Sequence, residues 1–202
     1  MAGTLSEYVR TEFEKSRRLL ETMSADDTLH RQVLQAVTVC VTALRRGNKL
    51  LFAGNGGSAA DAQHWAGELV SRFAYDRPGL PGIALTTDTS ILTAIGNDYG
   101  YEHVFARQIE ALGVKDDVLF AISTSGNSKN ILRAISVARA IGIAVIGFSG
   151  QDGGTMADNC DLCFRMPSTE TPKIQEGHEI LGHLICGMIE REMFTPPAGN
   201  QV

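Results

Sequence analysis

A chain of 202 residues, 44% hydrophobic and 20% charged, has enough apolar side chains for one well-buried domain. Its 18 basic and 23 acidic residues are scattered and sum to −5, which argues against nonspecific nucleic-acid binding, where a basic stripe is expected. No apolar run approaches the ~20 residues that cross a bilayer, and no basic start, apolar core and small-residue cleavage site marks a signal peptide, so the expected address is the cytoplasm.

Residues 4–46 read as two helices separated by MSADDTLH, with Ser24 or Asp26 as the cap of the second. Val33, Leu34, Ala36, Val37, Val39, Cys40, Val41 and Leu44 make the second helix too apolar to have one exposed side. Burial on two faces is expected, within the domain or at a subunit interface. The N-terminal segment 1–47 is therefore expected to pack on the domain and on a second subunit. Past residue 48, short apolar runs (KLLFAG, PGIALTT, DVLFAIS, AVIGFS, DLCFRM) alternate with helical stretches at about 58–73, 88–111 and 128–141, and a last helix covers about 173–194. Continuous apolar strands alternating with helices predict an α/β fold whose parallel sheet is covered on both faces. This domain spans 48–194, and 195–202 is expected to be a flexible tail.

Ligands of doubly wound sheets bind beyond the carboxyl ends of the strands. The first such loop, FAGNGGSAADAQ, places Gly54, Gly56 and Ala59 in the pattern G-x-G-x-x-[G/A], with Ser58 positioned to cap the next helix. A dinucleotide site also wants an acid about 20 residues on, but Asp76 precedes RPGLPG, before the second strand. No Gly-Lys-Ser/Thr occurs, so the Walker pattern fails. The third turn, AISTSGNSKN, offers Ser123, Thr124, Ser125 and Ser128 at a helix start. A polar turn capped by Ser128 needs one hydroxyl; four suit a phosphate nest that requires no arginine.

His64 and Glu68 lie at i and i+4 on one helical face. Near the end of the chain Gln175, Glu179 and His183 share a stripe, and His178 points elsewhere. Imidazoles, carboxylate and amide together suit zinc or another borderline divalent ion. His30 and His103 read as surface or hydrogen-bonded residues. Cys160 and Cys163 form one C-x-x-C, but the second pair of a structural zinc site is missing, so these two are expected to be buried thiols.

Together GNGGSAADAQHWAGELVSRF, RPGLPGIALTTDTSILTAIGNDYGYEHVFARQ, ISTSGNSKNI and IQEGHEILGHLI resemble the sugar isomerase (SIS) domain family and, within it, the bacterial phosphoheptose isomerases, over nearly the whole chain. The resemblance implies a three-layer α/β sandwich with a five-stranded parallel sheet in flavodoxin-like order plus N-terminal helices. It also implies a homotetramer with active sites between subunits. The implied reaction converts sedoheptulose 7-phosphate to D-glycero-D-manno-heptose 7-phosphate through an enediol, the entry to heptose synthesis for lipopolysaccharide and related glycans. By the same resemblance Ser123, Thr124, Ser125 and Ser128 hold the phosphate. Asn55, Gly56, Gly57, Asn97 and Asp98 contact the sugar, and Gln175 lies near its reacting end. Glu68 and His183 match the acid–base pair, while His64, Glu68, Gln175 and His183 match a zinc site. Trp65 is expected to point away from the His64/Glu68 face. A zinc-bound carboxylate is a poor base, so the double role of Glu68 requires it to loosen from the metal during turnover. The rivals are a noncatalytic SIS paralogue that binds a replication initiator, a sugar-phosphate sensor and an aminosugar-phosphate isomerase or deaminase. The first kind lacks the Glu and the second His, and the second kind carries a DNA-binding module for which this chain has no room.

Overall fold

A computed structural model describes residues 4–195. Helix α1 (Leu5–Ser24) opens with a capping box in which the Thr4 hydroxyl accepts from Glu7 N and the Glu7 carboxylate accepts from Thr4 N. Helix α2 (Asp27–Arg45) is capped by Asp26, whose Oδ1 accepts from the amides of Thr28 and Leu29, so Asp26 rather than Ser24 fills that role. Its burial is one broad face, Leu29, Val33, Ala36, Val37, Cys40, Val41 and Leu44, whereas Leu34 on the other side is 55% exposed. Among the described residues nothing covers Leu34 on that second side.

Strands β1 (Leu50–Ala53), β2 (Gly82–Ala84), β3 (Val118–Ile122), β4 (Ala144–Ser149) and β5 (Leu162–Arg165) form one parallel sheet in the order β2-β1-β3-β4-β5. Successive residues alternate between two cores, because strand side chains point to opposite faces. Leu50, Phe52, Phe120 and Phe148 join the layer of α1, α2, α3 (Gly57–Val70) and α7 (Thr171–Met193). Leu51, Ala53, Leu119 and Val145 join the opposite layer, with α4 (Thr89–Asp98), α5 (Ala106–Leu112) and α6 (Lys129–Ala140). The three-layer sandwich and the strand order are those expected from the resemblance. The N-terminal helices share the first core, so they are built into the domain rather than appended to it.

The expected helix over 88–111 is instead α4, a 3-10 turn at Tyr101–His103 and α5. Gly100 between the first two has φ of +92°, a conformation that glycine adopts without strain, and the helix breaks there. Among the cysteines, Cys40 and Cys186 are buried, but Cys160 and Cys163, expected to be buried, are half-buried at the sheet edge. Of the expected tail 195–202, all but Thr195 lies outside the described residues.

Candidate active site

The chain passes from β1 to β2 on one side of the sheet and then to β3 on the other, so the switch point lies between neighbouring β1 and β3. The glycine and serine loops follow these two strands, and one amide pair ties them together. Asn55 Nδ2 donates to Asn130 Oδ1 (3.0 Å), and Asn130 Nδ2 donates back to Asn55 Oδ1 (2.8 Å). The Tyr101 hydroxyl reaches the same Asn55 Oδ1 at 3.2 Å. Asn130 is buried in α6, so Asn55 is held from beneath.

The glycine loop starts α3 without a side-chain cap: the helix begins at Gly57, the cap position is Gly56 with φ of +57°, and Ser58 is buried inside the first turn. The expected Ser58 cap is thus not made. Gly56 and Gly57 are exposed, which leaves their amides open to an oxygen-rich ligand. A Cβ on Gly57 would lie 2.4 Å from Gln175 Nε2, so the missing side chain is what lets the Gln175 amide, from α7, reach this loop.

In the serine loop, Ser123 Oγ pairs with Ser128 Oγ at 2.9 Å and lies 3.5 Å from Ser125 Oγ. Ser128 occupies the cap position of α6, yet its hydroxyl makes no capping bond. The hydroxyls converge on one another rather than on the helix, and Thr124 and Ser128 are half-buried beside them. Gly126, at φ of +65°, permits the turn and backs onto Gly153 and Gly154. Asn97 and Asp98 are exposed at the end of α4, where Asn97 Nδ2 donates to Asp98 Oδ1. No side-chain hydrogen bond joins either to the loops among the described residues.

Helices α3 and α7 face each other, and Gly182 makes their approach possible: a Cβ there would lie only 2.0 Å from the Trp65 ring. His64 Nε2 and His183 Nε2 are 2.8 Å apart, and Glu179 Oε1 is 3.1 Å from each. These three donor atoms are the compact group suited to a cation among the described residues. Two imidazoles and a carboxylate fit zinc, whose bonds to such ligands are about 2.0–2.2 Å, with a position left for water or substrate. Glu68 Oε1 lies 3.5 Å from His64 Nε2, at the margin of the group. His183 and the two α3 residues therefore come together from two helices, whereas Gln175 meets Gly57 two turns away along α7.

Trp65 points into the core, away from His64 and Glu68, and packs against Phe52, Phe120 and Phe148. Its Nε1 nevertheless donates to Glu179 Oε2 at 3.1 Å and so orients the carboxylate between the histidines. Asp61 lies one turn before His64, with Oδ2 buried and unpartnered. Burial and the nearby Glu179 carboxylate push its carboxyl up to about 6, against the pull of His64. His178 is displaced as expected; its Nε2 sits 3.1 Å from Ser149 O, and burial pushes its imidazole down to about 4. His30 is exposed, and His103 lies 3.5 Å from Glu102.

At the far end of α3, Arg77 donates to Glu68 O (2.8 Å) and Leu69 O (2.6 Å) and pairs with buried Glu190 at 3.0 Å. Burial would raise the Glu190 carboxyl, but the amides of Ala74 and Phe73 together with Arg77 hold it below the usual range. The histidine group adjoins two open depressions. One, of about 490 Å3, is lined by His64, Glu68 and Arg72. The other, of about 630 Å3, is lined by Phe73, Ile180, His183 and Leu184 and is largely apolar.

Asp61, Trp65, Asn130 and Tyr101 are the additions the structure makes to the sequence-based set, and it moves Glu179 from the predicted stripe to the centre of the group. Asp61 carries a sequence signal, standing seven residues before Glu68 and three before His64 on the same helical face. Asn130 and Tyr101 carry none that periodicity would reveal.

The family model of the SIS domain matches residues 13–150. The phosphoheptose isomerase of Burkholderia pseudomallei is 56% identical over 187 residues, 93% of this chain and 95% of that one. Phosphoheptose isomerase 2 of Campylobacter jejuni is 55% identical over 190 residues, 94% of both chains. Among solved structures, the phosphoheptose isomerase of Neisseria gonorrhoeae superposes with a TM-score of 0.87 at 42% identity, covering 93% of this chain and 100% of that one.

Proposed function

The chain belongs to the SIS-domain family and, within it, to the phosphoheptose isomerases, and we propose that it interconverts sedoheptulose 7-phosphate and D-glycero-D-manno-heptose 7-phosphate through an enediol. The observation that carries this reading is the compact histidine–carboxylate group of His64, Glu179 and His183 between α3 and α7, and the uncapped hydroxyl cradle after β3 supports it. Ser123, Thr124, Ser125 and Ser128 hold the phosphate with the open N-terminus of α6 behind them. Asn55, fixed by Asn130 and Tyr101, and the amides of Gly56 and Gly57 meet the sugar hydroxyls, while Asn97 and Asp98 stand free to contact the chain of the heptose. Gln175, held against Gly57, orients the carbonyl end.

Moving the carbonyl between C2 and C1 takes a proton from one carbon and returns one to its neighbour. Glu68 and His183 carry these transfers, each of a kind worth about 10²–10⁴-fold. Zinc is the proposed cofactor, held by His64 and His183 with carboxylate and amide support from Glu68, Glu179 and Gln175; when bound, it supplies charge stabilisation to the carbonyl and enediolate oxygens. The position of Glu179 between the histidines supports leaving Glu68 as the base. Arg77 holds the main chain of Glu68 and so fixes the root of that side chain.

The active assembly is proposed to be a homotetramer in the cytoplasm with sites between subunits. Leu5, Tyr8, Val9 and Phe13 form an exposed apolar stripe on α1, and Leu34 lies open on α2, which supports cover by a second copy. The deciding experiment incubates purified protein and zinc with sedoheptulose 7-phosphate and follows the aldoheptose phosphate by NMR. Turnover lost in Glu68→Gln and His183→Ala at unchanged assembly is the expected result. Sugar-phosphate binding without turnover in the parent chain would instead favour the noncatalytic reading.

A further inference from the structure

The isomerase chemistry makes no use of the C-x-x-C pair. Cys160 lies in the bend before β5 and Cys163 within that edge strand, where Cys163 is the register partner of Gly147 on β4. A Cβ on Gly147 would lie 2.7 Å from Cys160 Sγ and 3.2 Å from Cys163 Sγ, so both sulfurs occupy the space over one glycine. Ser149 Oγ lies 3.6 Å from Cys163 Sγ. Charges of both signs act on the pair: the Asp161 carboxylate outweighs Arg139, which is anchored on Asn159 O at 2.8 Å, at Cys160, whereas Arg165 favours the thiolate at Cys163. Paired, half-buried cysteines, one of them beside an arginine, are an environment of reactive thiols, whereas the buried Cys40 and Cys186 are inert.

We propose that Cys160 and Cys163 are a vicinal dithiol that exchanges with small disulfides of the glutathione class and closes to an intramolecular disulfide. Cys163 is the attacking sulfur. The neighbouring Cys160 thiol draws its thiol down to about 7 in spite of burial, with Ser149 and Arg165 helping, while Cys160 is pushed up. The Cys163 thiolate bonds to one sulfur of oxidised glutathione, the S–S bond breaks, and one glutathione leaves as thiolate. Cys160 then gives its proton to solvent and attacks Cys163 Sγ, expelling the second glutathione thiolate. The protein pair loses two electrons and two protons, and the small disulfide gains two electrons.

The test treats the native full chain with oxidised glutathione, alkylates the remaining thiols, and reads intact mass and peptide maps. The expected result is the loss of two hydrogens with a Cys160–Cys163 cross-linked peptide, reversed by dithiothreitol. Cys160→Ser should stop at a glutathione adduct on residue 163, and Cys163→Ser should react at least about tenfold more slowly. Independently of any variant, phenylarsine oxide should bind the parent chain at one per subunit and block both residues from alkylation. Thiols that stay alkylatable after oxidised glutathione, an adduct that persists in the parent chain without closing, or failure of the arsenical to protect the pair would each overturn the proposal.

Discussion

Replacing Gly57 with alanine tests whether the Gln175 amide works at the reacting end of the sugar. The added Cβ would lie 2.4 Å from Gln175 Nε2 and 2.8 Å from its Cδ. Ordinary heavy-atom contact is about 3.5 Å, so the amide must retreat by roughly 1 Å. The atoms displaced are the far end of a flexible side chain, so the rotamer gives way before the backbone does. A rotamer forced ~30° from its minimum costs about 0.5–1.5 kcal/mol, and alanine recovers up to about 1 kcal/mol over glycine in a helix interior and less at this first helical position. The two partly cancel, and the thermal midpoint should stay within about 4 °C of the parent. Catalysis should not be spared, because a 1 Å misplacement of a positioning group costs on the order of 10²-fold. The assay is kcat/KM for sedoheptulose 7-phosphate beside a melting curve, with Gln175→Ala and the double variant to complete the cycle. The expected outcome is a fall of about 10²-fold that adds nothing once Gln175 is gone. Parent-level kcat/KM at an unchanged midpoint would refute the reasoning and remove Gln175 from the reacting end.

Trp65→Phe removes the donor to Glu179 and should weaken zinc binding by about 10–100-fold, read by chelator competition; equal affinity in the folded variant would deny the indole its orienting role. Ser128→Ala should lower the melting point only slightly, because that hydroxyl makes no capping bond and gives up only its 2.9 Å pairing with Ser123 Oγ. Its KM for the sugar phosphate should rise about tenfold or more for a lost bond to a charged ligand, and a markedly lowered melting point with unchanged KM would restore the capping role. For His178, burial holds the folded pKa near 4, below the 6.5 of a free imidazole. As pH falls from 6.5 towards 4 the unfolded chain gains a proton that the folded one refuses, so stability is full above 6.5 and declines by about 3 kcal/mol across that window. Urea unfolding of the parent chain and of His178→Gln should differ in this pH dependence, and identical slopes would contradict the burial argument.

Much of the fold is legible in the sequence because a parallel sheet covered on both faces demands unbroken apolar runs, and KLLFAG, DVLFAIS and AVIGFS supply them. Leu51 and Phe52 are both wholly buried, yet they face different layers. The break within 88–111 is harder to read: the apolar spacing continues across it, and Gly100 gives the only local hint of a positive φ. Helix α2 shows a different limit. Its composition registers total apolar content, and its amphipathic phase places Val33, Val37 and Leu44 inward, but nothing in one chain says what covers Leu34.

The site divides in the same way. The pair His64 and Glu68, and the stripe Gln175, Glu179 and His183, follow from the period of a single helix. Which carboxylate lies between the histidines does not, because that depends on the phase of α3 against α7. Packing decides it. Gly182 admits the Trp65 ring, the ring must find a partner for its buried N–H, and Glu179 Oε2 supplies one, which turns Oε1 to 3.1 Å from both imidazoles. Glu68 is left 3.5 Å from His64, with its main chain pinned by Arg77. A carboxylate that neutralises a metal has little basicity to offer, so one glutamate asked to ligate and to abstract a proton faces conflicting demands. Two glutamates on facing helices separate those demands, with Glu179 suited to hold charge and Glu68 suited to move a proton.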